Sequence, residues 1–209
     1  GDKGLNTGGM GAISPVPFAD DAFLRKVEAR VIKPTVDGLQ KDGIDYRGFI
    51  FIGLMNIDGE PFLIEYNVRM GDPECQVILP RLETDFAKII YNAVINKLEN
   101  IKIKWKNKKC MTIVLCSKGY PGKYKKNIFI KNISKLKLSK NNFIYHAGTK
   151  FDNRRLFSNG GRVLNITSIG KSFLSIRKNI IKIIKKINWK NGTFRKDIGW
   201  RVIKKNADY

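Results

Sequence analysis

The chain has 209 residues, of which 43% are hydrophobic, and a formal net charge of +22. That is enough chain to bury a sizeable core, and its composition excludes a disordered protein. The longest apolar run, Phe49 to Met55, is far too short to span a bilayer, and no basic segment followed by an apolar one opens the sequence.

Residues 1–16 contain "NTGGMGAISPVP" and read as a Gly/Pro-rich loop. Asp20 or Asp21 can cap a helix that begins near Ala22 and runs to about Lys41, with Pro34 forcing a kink or a break. "RGFIFIGLMNI" (Arg47–Ile57) is expected to be a buried strand, "DGE" (Asp58–Glu60) a turn and "PFLIEYNVR" (Pro61–Arg69) a second strand, together an antiparallel hairpin. Thr84 or Asp85 caps a helix to about Leu98. The basic stretch Asn100–Lys109 is a connector, and the domain boundary is placed there. Short strands follow at Cys110–Cys116, Asn127–Ile130, Phe143–Gly148 and Gly161–Thr167, separated by turns such as "GYPG" and "SNGG". The last element is a helix over about Lys171–Ile187, whose Phe173, Ile176, Ile180, Ile184 and Ile187 form one apolar stripe.

Charge divides unevenly. Residues 1–100 carry 11 Lys or Arg against 15 Asp or Glu, whereas residues 101–209 carry 29 against 3. A basic half can be a footprint for nucleic acid, and Trp105, Tyr124 and Phe129 lie among its lysines. Lys, Ile and Asn dominate this half, so compositional drift explains the charge, and the lysines of "KNIIKIIKKI" read as a solvated helix face. Cys75, Cys110 and Cys116 are too few and too scattered for a disulfide framework or a zinc site, so a reducing, cytoplasmic setting is expected. Gly1 is not an initiator Met, so a processed product or a piece of something longer is expected.

Within this chain "IEYNVRMGDPE" (Ile64–Glu74) gathers Glu65, Asn67, Arg69, Asp72 and Glu74. Strand alternation puts Glu65, Asn67 and Arg69 on one face and Ile64, Tyr66 and Val68 on the other. A carboxylate and an amide oxygen two residues apart on a rigid strand can ligate Mg²⁺, which takes one or two protein oxygens and leaves the rest to phosphate and water. Arg69 can fork onto a phosphate or carboxylate. A surface ion pair between Glu65 and Arg69 is the bland alternative. The glycines of "NTGGMGA" offer closely spaced N–H groups, a possible anion nest or simply a surface loop. His146, the only histidine, reads as a hydrogen-bonded structural residue, and "FRKDIGWR" either binds an anion or clamps the C-terminal segment by ion pairs.

Six stretches then match one family in order: "GDKGLNTGGMGAISP" (Gly1–Pro15), "EYNVRMGDPE" (Glu65–Glu74), "GYPGKY" (Gly119–Tyr124), "HAGT" (His146–Thr149), "NGGRVL" (Asn159–Leu164) and "RKDIGWR" (Arg195–Arg201). They resemble the glycinamide ribonucleotide synthetases of the ATP-grasp superfamily over essentially the whole chain. The resemblance implies an α+β fold: the second half of an ATP-grasp domain over residues 1–98, then a small α+β C-terminal domain over 99–209. It implies ATP-dependent ligation of glycine to 5-phosphoribosylamine, with Glu65 and Asn67 as ligands of Mg²⁺ or Mn²⁺ and Arg69 as the anchor of the reacting carboxylate or phosphoryl group. Asn6, Thr7, Gly8, Gly9, Met10, Gly11 and Asp72 are the expected phosphate and substrate contacts. It also implies a missing N-terminal half as partner, with no membrane and no nucleic acid. Another ATP-grasp ligase and a non-catalytic basic RNA-binding module are the alternatives.

Overall fold

A computed structural model describes residues 3–204. Helix and strand are mixed, as an α+β chain requires, and the chain divides into two compact units that are discontinuous in sequence. Residues 1–15, 72–81 and 106–209 form one unit, and residues 16–71 and 82–105 form the other.

The first unit is built on a five-stranded antiparallel sheet among the described residues. Its strands are β1 (Gly11–Ser14), β4 (Lys109–Ser117), β6 (Asn142–His146), β9 (Arg162–Gly170) and β10 (Gly192–Thr193). β4 lies between β9 on one side and β1 and β10 on the other. β1 lies inside the stretch read as loop. Four residues that start with a glycine and run into a proline carry no strand pattern of their own, and it is pairing with Cys110–Ile113 that makes them one. Helix α5 (Phe173–Ile187) lays Phe173, Ile176, Ile180, Ile183, Ile184 and Ile187 over Met111, Ile113, Leu115, Leu164 and Ile166 of β4 and β9. Its Lys178, Lys182, Lys185 and Lys186 are exposed, the solvated face expected of the lysine-rich stretch. Asn188, in the left-handed conformation, ends it with its N–H bonded to Ile184. The opposite face of the sheet packs Cys110 and Ile169 against Val77 of the short helix α3 (Cys75–Ile78).

A three-stranded sheet joins β5 (Ile128–Phe129), β8 (Arg155–Ser158) and β7 (Thr149–Asp152) in that order. The β7–β8 hairpin is absent from the sequence reading. Its turn places Asn153 and Arg154 at positive φ (43° and 60°), a conformation normally signalled by Asn-Gly or Gly-Gly. Helix α6 (Trp200–Lys204) closes the unit, with Val202 in the core.

In the second unit Asp20 caps helix α1 (Asp21–Val27), its Oδ1 accepting from the Phe23 N–H at 2.8 Å. A π-helical turn, Glu28–Ile32, leads directly into α2 (Lys33–Lys41). Pro34 therefore breaks nothing. The widened turn sits just before the residue that has no N–H to give. Strands β2 (Phe51–Ile57) and β3 (Glu60–Asn67) form the expected antiparallel hairpin. β2 begins four residues later than Arg47 and is not buried, since Met55 and Ile57 are about half exposed. Helix α4 (Phe86–Val94) is capped by Asp85, which accepts from Lys88 at 2.8 Å, and it stops short of Leu98, with Asn96 at φ 57° just past its end.

Ile180 is fully buried at the centre of the α5 stripe. Ile180→Ala is expected to cost about 2–5 kcal/mol, read as a lower urea midpoint of the first unit. Lys182→Ala, on the exposed face, should stay within about 0.5 kcal/mol.

Candidate functional site

The residues singled out from the sequence fall in both units. In the second unit, Glu65 and Asn67 stand on β3 opposite Gly53 and Phe51 of β2. The ladder shifts register between Gly53 and Leu54, because Leu63 pairs with Leu54 and Glu65 with Gly53, so Ile64 is an extra residue. The bulge breaks the simple alternation read from the sequence. Tyr66 lies on the same side as Pro61 and Leu63, and these three line a cavity of about 320 Å³ with Val31, Pro34 and Thr35 of the helix. Tyr66 Oη and Thr35 Oγ1 are 2.6 Å apart. Glu65 and Asn67 take the other face, away from the helix.

Gly53 makes room for Glu65, since a Cβ there would lie 3.0 Å from Glu65 Cγ. Glu65 is exposed and Asn67 half-buried. The strand ends at Asn67, so Arg69 does not share the face by alternation. Its guanidinium reaches back instead, donating to Asn67 Oδ1 at 3.1 Å and to the Met70 carbonyl at 2.9 Å. An amide oxygen has two lone pairs, so Asn67 keeps one for another partner. A carboxylate and an amide oxygen on one face are the hard donors that Mg²⁺ or Mn²⁺ takes, and the fit is to a two-ligand site. No group of three or more His, Cys, Asp or Glu gathers among the described residues. At the start of β3, Glu60 is held below the usual carboxylate range by its hydrogen bond to Lys26, with Arg30 as a second partner.

The other residues of the set lie in the first unit. The glycine loop leads into β1, and its carbonyls are tied down. Tyr120 Oη donates to the Gly8 carbonyl at 3.2 Å, and Arg162 Nη1 to the Gly9 carbonyl at 3.4 Å. Arg162 Nη1 also donates to the Asp72 carbonyl at 2.7 Å, and Nη2 is 3.0 Å from Asp72 Oδ2. Gln76 donates to the other carboxylate oxygen of Asp72 at 2.9 Å. The carboxylate of Asp72 is thus engaged by its own fold. Met10 is buried against Val114, Cys116 and Tyr120. Beside the loop, a cavity of about 240 Å³ is lined by Thr7, Tyr120, Phe194 and Arg195, among others. Arg195 pairs with Asp197 at 3.3 Å within "RKDIGWR" itself, and its donation to the Lys3 carbonyl at 3.2 Å, a hydrogen bond and not an ion pair, is what ties this motif to a distant segment. The hydrogen bond from Arg195 holds the Asp197 carboxyl well below its usual range.

His146 is exposed and shares a hydrogen bond with Thr149 Oγ1 at 3.1 Å. Cys110 and Cys116 are free, and burial pushes both thiols up to about 12. Trp105 falls in one unit and Tyr124 and Phe129 in the other. Three residues that shape these sites were missed from the sequence: Gly53, Tyr120 and Arg162. The last two stand in quoted motifs, "GYPGKY" and "NGGRVL", but their partners lie about a hundred residues away or more.

Gly9 has φ +31°, and a Cβ there would lie 2.6 Å from the Asp72 carbonyl oxygen and 2.8 Å from Arg162 Nη1. A Cβ at Gly8 would meet only Tyr120 Oη, at 3.6 Å. Gly9→Ala should therefore cost about 1–3 kcal/mol in thermal unfolding, while Gly8→Ala should cost no more than about 0.5 kcal/mol.

Comparison with known proteins gives these sites a family. Residues 1–75 match the family model "Phosphoribosylglycinamide synthetase, ATP-grasp (A) domain", and residues 110–201 match "Phosphoribosylglycinamide synthetase, C domain". The phosphoribosylamine–glycine ligase of Agrobacterium fabrum is 42% identical over 203 residues, 97% of this chain and 48% of the relative. The chloroplastic phosphoribosylamine–glycine ligase of Arabidopsis thaliana is 41% identical over 98% of this chain and 39% of its own length. The crystal structure of the Thermotoga maritima phosphoribosylamine–glycine ligase superposes with a TM-score of 0.75 at 34% identity, covering 94% of this chain and 48% of that one. An L-amino acid ligase from Bacillus licheniformis shares the fold at 13% identity and a TM-score of 0.56. The chain spans about half the length, or less, of these relatives. With two family models matched in order and identities above 40% over nearly its whole length, the chain belongs to the phosphoribosylglycinamide synthetase family.

Proposed function

We propose that this chain is the C-terminal part of a phosphoribosylamine–glycine ligase, with residues 1–98 completing an ATP-grasp domain and residues 99–209 forming the C-terminal domain. The observation that carries the reading is its 42% identity to such a ligase over 203 residues. In the reaction, the glycine carboxylate takes the γ-phosphoryl group of ATP, releasing ADP. The amine of 5-phosphoribosylamine then attacks the acyl carbon of glycyl phosphate, and inorganic phosphate leaves as the amide forms and the amine loses a proton. The product is glycinamide ribonucleotide, in purine biosynthesis.

In this reading Glu65 and Asn67 hold Mg²⁺ or Mn²⁺, which neutralises charge on the transferring phosphoryl group when bound. Arg69, already hydrogen-bonded to Asn67, has a planar fork suited to the reacting carboxylate or phosphoryl oxygens. The loop from Asn6 through Thr7, Gly8, Gly9 and Met10 to Gly11, with Asp72 at its back, contacts phosphate or substrate. Such chemistry depends mostly on positioning and charge neutralisation. Further partners are ATP, glycine, 5-phosphoribosylamine and an N-terminal half. The exposed Phe62 and Ile64 of the β2–β3 hairpin, with Val68 just past it, support that last partner, as does a sheet of two strands among the described residues, which needs further packing to be stable. The cytoplasm is the compartment this reading gives; among the described residues no helix is long and apolar enough to cross a membrane.

The purified 209-residue chain is expected to release no ADP in response to glycine and phosphoribosylamine. Adding the N-terminal half of a family member should restore turnover, and Glu65→Ala in that complex should abolish it with no change in melting temperature. Robust substrate-dependent ADP formation by the chain alone would overturn the half-site reading. Full activity of the Glu65→Ala complex would overturn the metal assignment.

A further inference from the structure

Three segments distant in sequence meet at Arg162: the glycine loop, the residues after β3 that begin at Asp72, and the start of β9. Arg162 is about 29% exposed, and its guanidinium is spent on the carbonyls of Gly9 and Asp72 and on the Asp72 carboxylate. Such a network uses a charged fork to hold backbone in place, with Asp72 supplying the counter-charge. Tyr120 does the same for the next carbonyl back, that of Gly8. The tyrosine ring packs directly on Gly161, where a Cβ would collide with its Cδ2, and against the ring of Tyr124.

Holding a carbonyl also aims an amide. In a trans peptide the C=O of one residue and the N–H of the next point in opposite directions. The bond from Tyr120 to the Gly8 carbonyl therefore turns the Gly9 N–H away from Tyr120. In the same way the bond from Arg162 to the Gly9 carbonyl sets the direction of the Met10 N–H, and the N–H groups of Gly9 and Met10 have no hydrogen-bond partner among the described residues. Gly9 has φ +31°, a turn to the left-handed side of the kind that draws successive N–H groups towards one point. Gly9 keeps that φ because Asp72, Pro73 and Arg162 fill the space a side chain would need.

We propose that Tyr120 and Arg162 are positioning residues, which lock the Gly8 and Gly9 carbonyls so that the N–H groups of Gly9 and Met10, the other ends of those two peptides, are presented to a phosphate or carboxylate oxygen. Neither side chain need touch that anion. The inference rests on the reading of the glycine loop as an anion contact and adds the residues that make it one. It also accounts for an aspartate at the back of such a loop, since Asp72 serves the arginine and not the ligand.

The test is a titration of the ¹⁵N-labelled 209-residue chain with inorganic pyrophosphate, following the amide resonances of Gly9 and Met10. Wild type should show saturable shifts at both. Tyr120→Phe removes only the hydroxyl, and it should weaken the fitted affinity roughly 3- to 10-fold, about one hydrogen bond's worth, with an unchanged melting temperature. Arg162→Lys keeps the charge beside Asp72 but loses the fork and should weaken it at least as much. If Arg162→Lys does not fold, Tyr120→Phe alone decides. Wild-type affinity in a folded Tyr120→Phe chain would overturn the positioning roles and leave the loop reading intact. Absence of shifts at Gly9 and Met10 in wild type would remove the loop reading and this inference with it. Because only these two amides are scored, pyrophosphate held elsewhere by the many lysines does not count as binding here.

Discussion

One strand carries the first unit. β4 is buried along nearly its whole length, with Cys110 through Ser117 all withdrawn from water. A strand so placed has four obligations: both edges must find hydrogen-bond partners and both faces must find apolar cover. β9 satisfies one edge over eight paired residues, and β1 with β10 satisfies the other. Met111, Ile113 and Leu115 are covered by α5, and Cys110 by Val77. The one polar side chain near its middle, Thr112, is matched by Thr167 of β9, the two hydroxyls 2.8 Å apart. Loss of any of these neighbours would strand either a backbone group or an apolar side chain in the wrong surroundings.

The candidate phosphate loop inherits its rigidity from this arrangement. Val114 donates its N–H to the Met10 carbonyl, which anchors the end of the loop to β4. Arg162 opens β9, the partner of β4, and so arrives at the loop from a fixed direction. The second unit works differently. There the bulge at Ile64 and the missing side chain of Gly53 decide where the Glu65 carboxylate can sit, and both are local features of one hairpin.

What the sequence discloses follows from how local each signal is. The α5 stripe was legible because Phe173, Ile176, Ile180, Ile184 and Ile187 repeat at helical spacing. So were Asp20 and Asp85, whose capping bonds span three residues. The hairpin at Asn153–Arg154 was not, because neither residue is the glycine that such a turn advertises. β1 was not, because its strand character comes from β4, about a hundred residues later. For the candidate site, Glu65 and Asn67 could be read from their spacing and Gly8 and Gly9 from their lack of side chains. The bulge that ends simple alternation at Ile64 leaves no mark in composition. Arg162 was visible only as part of a quoted motif, since its partners are Gly9 and Asp72, far earlier in the chain.

The way β4 is completed has a consequence for the order in which the chain can be assembled. β1 and β10 pair end to end along the same edge of β4, β1 with Cys110–Ile113 and β10 with Cys116–Ser117. One comes from near the first residue and the other from near the last. The second unit is thus delivered between β1 and its partner, in two stretches, 16–71 and 82–105. During synthesis at roughly 5–20 residues per second, β1 emerges and must wait many seconds for β4 to follow, while residues 16–71 and 82–105 are free to organise. The edge is then closed only when Gly192 and Thr193 appear. A ribosome-bound chain halted between Gly170 and Gly192 would hold the glycine loop against a sheet whose edge is still half open.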